Sequence, residues 1–140
     1  MNNKFSKVLN AIMPLLLILL AGILAFNHHH QNVENKFLVE CQNFSEQVSA
    51  HQFANLEYQV NVFDSDNEHE DLIMVVDIFN YEMASEEIVT EMLDTFSEEF
   101  MHYEFKGFDV EELRIDIFDS NKEDEDSIQG IGVATRVIEK

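Results

Sequence analysis

The chain has 140 residues, of which 28 are acidic and eight basic, for a formal net charge of −20. So negative a surface repels phosphate backbones and anionic headgroups, which argues against nucleic acid as a partner and against peripheral membrane attachment. A single cysteine, Cys41, excludes an internal disulfide, so packing alone must hold the fold together.

Residues 8–26 read VLNAIMPLLLILLAGILAF, an uncharged apolar run that follows Lys4 and Lys7. Some 20 apolar residues cross the roughly 30 Å hydrocarbon core as a helix, so the run predicts an uncleaved transmembrane signal-anchor. The positive-inside bias of the two lysines keeps residues 1–7 cytoplasmic and puts the rest outside the cell membrane, in a single-pass arrangement. The competing reading is a secretory signal cleaved near Ala25. Against it, the apolar block at 11–26 exceeds an ordinary signal core of about 7 to 15 residues. Cys41 lies too far downstream to be a lipid-bearing cysteine.

A polar juxtamembrane collar follows at 27–32, and 33–140 is long enough for one domain with a modest core. All 28 acidic residues follow the apolar run, against six basic ones there, which gives that part a charge of −22. Val33, Phe37, Leu38, Cys41, Phe44 and Val48 recur at helical spacing and predict a first helix over about 33–52. With no Gly or Pro between, it is expected to be nearly continuous with the membrane span. Leu56, Tyr58, Val60 and Val62 alternate with polar residues as a half-buried strand does. Residues 64–71 read as an acidic turn, and LIMVVDIF at 72–79 as a second strand, apolar on both phases except for Asp77.

Ser85 is the expected N-cap of a second helix, with Glu86 and Glu87 facing the positive end of its dipole. Ile88, Met92, Phe96 and Phe100 form its apolar ladder, flanked by Val89 and Leu93, and Gly107 marks its exit. Strands are predicted over about 111–118, with Leu113, Ile115 and Ile117 inward, and over 128–138, separated by a second acidic turn. The order is α-β-β-α-β-β and contains a repeat of period 55. Residues 57–71 and 112–126 share Glu57/Glu112, Phe63/Phe118, Asp64/Asp119, Ser65/Ser120, Glu68/Glu123, Glu70/Glu125 and Asp71/Asp126.

A pseudo-two-fold domain with its more apolar strands central gives an α+β fold. Its four-stranded antiparallel sheet would run in the order 1-2-4-3, with both helices on one face, which is a permuted ferredoxin-like arrangement. Strands 1 and 3 would be the edges. The opposite face would carry Glu57, Gln59, Asn61, Asp77, Arg114 and Asp116.

Sites are harder to nominate. Asp64-x-Asp66-x-Glu68 and Asp119-x-Asn121-x-Glu123 resemble the start of a calcium-binding EF-hand loop. Each then has His69 or Asp124 where glycine is needed, and Val75 or Gly130 where a bidentate Glu is needed. His28, His29 and His30 could offer imidazoles to a metal, but consecutive helical residues diverge by about 100° and make a poor closed site. His51, His69 and His102 show no paired spacing. Cys41 sits on an apolar stripe and reads as a buried, inert thiol.

No catalytic constellation, cofactor site or metal site is therefore assigned. The expected function is a non-enzymatic, membrane-anchored accessory domain that contacts another protein. The alternative is a secreted or tethered acidic binder of a basic peptide, basic protein or divalent cation. A membrane-attached pH or ion sensor is a weaker third reading, resting on the histidine collar.

Overall fold

A computed structural model describes residues 2–123 and 130–140. It divides into two compact units, Met1–Lys36 and Phe37–Lys140. The first element, α1, is a helix spanning Asn2–Ser49 with Pro14 inside it. Over residues 12–26 its apolar side chains stand outward, from 44% exposed at Ile12 to 71% at Phe26. A helix of this length and apolarity can cross a membrane, where lipid would replace the water these side chains otherwise meet.

The second unit contains the last turns of α1, β1 (Tyr58–Asp64), β2 (Asp71–Ile78), a short 3-10 turn (Tyr81–Met83), α2 (Glu86–His102), β3 (Glu112–Glu123) and β4 (Gly130–Glu139). Helical spacing puts Phe37, Cys41, Phe44 and Val48 on the buried side of α1. Leu38, expected on that stripe, is instead 64% exposed, because the buried stripe is narrower than the apolar pattern. Ser85 caps α2 as expected: its Oγ accepts the Ile88 N–H at 3.3 Å. Val89, Met92, Leu93, Phe96 and Phe100 are buried. The helix ends at His102, with Tyr103 as its extended C-cap, so Gly107 is not its exit. Gly107 has φ +87° and turns the loop that leads to β3.

The sheet order is β1-β2-β3-β4, which corrects the expected 1-2-4-3 order: strand 1 is an edge as expected, but the other edge is strand 4 and not strand 3. β1 and β4 are the edges; β2 and β3 are central. The hairpins β1/β2 and β3/β4 are antiparallel, but β2 and β3 run parallel, Asp71 beside Glu112 and Ile78 beside Asp119. Parallel neighbours need a crossover, and α2 supplies one between β2 and β3. The β2-α2-β3 segment is therefore a βαβ unit, and the sheet is mixed.

This arrangement also removes the expected pseudo-two-fold. Val60 and Val62 face the core, and so do their period-55 counterparts Ile115 and Ile117. Mapping β1 onto β3 keeps the face and the left-to-right order but reverses the strand direction. Only a reflection does that, and no rotation relates two L-protein halves in that way.

One face of the sheet packs under α1 and α2. Val60, Val62, Leu72, Met74, Val76, Ile78, Leu113, Ile115 and Ile117 point into that layer and are at most 9% exposed. Loop aromatics close the ends: Phe53 meets Phe96 edge-on at 5.5 Å, and Phe105 meets Phe44 at 5.4 Å. Strand β3 continues to Glu123, so Asp119 and Asn121, expected in a second acidic turn, are strand residues. The rest of that turn, and the first residues expected in the fourth strand, lie outside the described residues.

Candidate protein-contact surface

Alternation along each strand sends the other set of side chains to the face away from the helices. The pairing register aligns them into rows: Phe63, Ile73, Arg114 and Val137, then Asn61, Val75, Asp116 and Thr135, then Gln59, Asp77 and Phe118. Among the described residues of the second unit, no helix covers this face. Phe63 is 52% and Val137 51% exposed at the two ends of the first row. The face was expected to be mainly polar, and Gln59, Asn61, Asp77, Arg114 and Asp116 do lie on it. Sequence reading missed Phe63, Ile73, Val75, Phe118 and Val137. The signal was present in LIMVVDIF, whose second apolar phase pointed to burial on both faces but here supplies the open one.

One charge cluster organises the centre of this face. Asp116 is buried, flanked by its neighbours on both sides. Its Oδ2 accepts from Arg114 Nε and Nη2, each at 2.8 Å, and its Oδ1 accepts from Thr135 Oγ1 at 2.9 Å. Both of its oxygens are thus hydrogen-bonded, as a buried carboxylate on a central strand requires.

A groove of about 630 Å³ runs beside this face, between α1 and the free edge of β1. Leu38, Gln42, Ser45 and Glu46 line one wall, and Val60, Asn61, Val62 and Phe63 the other. Phe79 N–H donates to the Glu57 carbonyl and Ser65 N–H to that of Asp71. These bonds fix the odd-numbered residues of β1 as the ones bonded to β2. The backbone groups of Tyr58, Val60, Val62 and Asp64 therefore point outward. Ser45 Oγ donates to the Val60 carbonyl at 2.8 Å.

Cys41 also borders the groove but is only 3% exposed, and burial, with the charges of Asp64 and Glu40, pushes its thiol up to about 12. It is a packing residue with no thiolate to offer near neutral pH.

The other nominated residues fall in separate places. His28, His29 and His30 are exposed on α1, where His30 Nε2 sits 3.5 Å from Glu34 Oε1 one turn on. Asp64 Oδ2 is 2.6 Å from His69 Nδ1, and Asp66 Oδ1 accepts the Glu68 N–H at 2.9 Å. His69 is fixed by packing at 4.4 Å against the Phe37 ring. It pins the β1–β2 turn to α1, a role its sequence context did not show. Asp119 Oδ1 accepts the Asn121 N–H at 3.0 Å, at the end of the sheet opposite Asp64. Among the described residues no three His, Cys, Asp or Glu side chains converge as a metal site would need.

Two further polar clusters hold elements together. His51 Nε2 lies 2.8 Å from Glu99 Oε1, and Gln47 Nε2 donates to Glu99 Oε2. The Gln47 hydrogen bond, with that of His51, holds the Glu99 carboxyl below its ordinary range. Buried Glu40 accepts the Lys106 N–H at 3.1 Å and bonds the Tyr103 hydroxyl, tying α1 to the loop after α2. The Tyr103 hydroxyl is pushed up by burial and by that carboxylate. Compared with protein-family models, with curated proteins and with solved structures, the chain matches none.

Proposed function

We propose that this protein is a membrane-anchored interaction domain, without catalytic activity, held on the outer side of a cell membrane to contact another protein. The observation that carries the reading is the row Phe63, Ile73, Arg114 and Val137 across all four strands of an uncovered sheet face. Apolar side chains at both ends of a row, around a satisfied Arg–Asp pair, have the composition of a contact surface rather than of a solvated one. The apolar run of α1 is the anchor. Lys4 and Lys7 before it, with no basic residue until Lys36, set the orientation.

The test has two arms. A reporter active only outside the cytoplasm, fused after Lys140, should be active; activity of a cytoplasmic-only reporter there overturns the orientation. A photo-crosslinking residue at Val137 should give a discrete protein adduct in native membranes, while one at Glu91 on exposed α2 should not. Equal, diffuse labelling from both positions overturns the contact surface.

A further inference from the structure

We infer that the groove between α1 and β1 receives an extended, basic segment of a partner protein, which adds as a fifth strand on the free edge of β1. This rests on the proposed contact function and names the partner's chemistry. Strand addition needs a row of unpaired backbone groups, and β1 presents one. The N–H of Val60 and both backbone groups of Val62 face the groove. Among the described residues, the one bond seen to this row comes from Ser45 to the Val60 carbonyl.

The other edge is guarded. β4 carries register shifts against β3, and it bears Arg136, with Lys140 directly after its last residue. Arg136 Nη1 reaches back to Asp94 Oδ1 at 2.6 Å and Lys140 Nζ to the Tyr103 carbonyl at 2.8 Å. Bulges and lysines are the usual means of blunting an edge strand. β1, YQVNVFD, has neither: its pairing with β2 is regular and it has no basic residue.

Charge selects the occupant. Among the described residues no basic one lines the groove, Glu46 lies on its wall, and the chain after the apolar run carries −22. A second copy would bring the same charge to the same edge and be repelled, whereas a basic segment is drawn in. Geometry then dictates its pattern. Residues opposite Val60 and Val62 turn their side chains toward α1, where basic ones reach Glu46 and lay their apolar stems along exposed Leu38. The residue between them stands opposite Asn61 on the open face, and the next of that phase stands beside Phe63. The occupant therefore alternates, with basic residues recurring on one phase.

The test uses the full chain in detergent micelles and a seven-residue peptide alternating lysine and valine, at physiological salt. Binding should be saturable and should slow hydrogen exchange at the Val60 and Val62 amides. The same peptide N-methylated on the phase facing β1, and a glutamate–valine counterpart, should each bind at least about tenfold more weakly. Glu46→Lys and Phe63→Ser, both at exposed positions, should each weaken binding about fivefold or more. Equal affinity of the N-methylated peptide, or unchanged exchange at Val60 and Val62, means adhesion by charge alone and overturns strand addition. Absence of binding overturns it as well. If that happens while the Val137 adduct persists, the contact function stands and only the groove assignment falls.

Discussion

Ser45 on α1 donates its hydroxyl proton to the carbonyl oxygen of Val60 on β1 across 2.8 Å, and so a helix side chain occupies one acceptor of an otherwise free strand edge. The bond fixes how closely α1 approaches β1 and therefore how wide the groove between them is. It also means that a bound strand and Ser45 compete for the same lone pairs.

Ser45→Ala therefore has two opposed effects. Losing the bond to a part-buried carbonyl should cost about 1 kcal/mol of stability. The freed carbonyl should at the same time raise the affinity for the lysine–valine peptide. Denaturant titration and peptide titration of the same variant give both numbers. A variant that loses stability and affinity together would show that the peptide does not pair at this edge.

One position on each helix separates core from rim. Phe96 is fully buried and meets Phe53 and Tyr58, so Phe96→Ala should destabilise by about 3 to 5 kcal/mol. Leu38→Ala, at a position 64% exposed, should stay within about 0.5 kcal/mol. Urea unfolding of the two variants decides it. A large cost at Leu38 would place it inside the core, where its sequence pattern first put it.

That pair also shows what was legible in the sequence. Both helices and all four strands, the Ser85 cap and most of the core follow from periodicity, because burial imposes periods of about 3.6 and 2 directly on the chain. The order of the strands did not follow. Periodicity says which face a residue takes but not which strand lies beside it, and the apparent repeat drew the reading toward a symmetry that a βαβ crossover at α2 breaks. The groove was less legible still. Its walls are Leu38, Glu46 and Phe63, an apolar residue misplaced in the core, an acid among many, and one half of a repeat. Only tertiary contact puts them together. Phe53, Phe105 and Val110 were missed for a related reason: they lie in loops, where burial leaves no period.

The loop after α2 carries one backbone constraint that can be isolated. Gly107 has φ +87°, and a Cβ built there meets nothing within 4 Å. Gly107→Ala should therefore cost about 1 kcal/mol, all of it from the backbone and none from a clash. If the variant is as stable as the parent, the loop reaches another conformation at no cost. The Glu40 bond to Lys106 N–H next door would then not be holding it.

Glu99 links the end of α1 to α2 through Gln47 and His51, and its titration gives a pH signature that the acidic surface does not share. Those hydrogen bonds favour the carboxylate and hold its pKa below the ordinary 4.5. A carboxyl with a depressed folded-state pKa contributes stability that is present above the unfolded value and lost as pH falls through the folded one. Protonating the many other carboxylates relieves self-repulsion and acts the opposite way, but it acts equally on the parent and on Glu99→Gln. The difference between the two is therefore the informative quantity. It should be about 0.5 to 1 kcal/mol in favour of the parent at neutral pH, as for a partly exposed pair. It should hold down to about the ordinary carboxyl value and shrink toward zero below it. Urea melts at matched ionic strength from neutral pH to about pH 3 measure it. A difference that persists undiminished at the acid end would show that Glu99 acts there by packing, and that its bonds to Gln47 and His51 do not favour the ionised form.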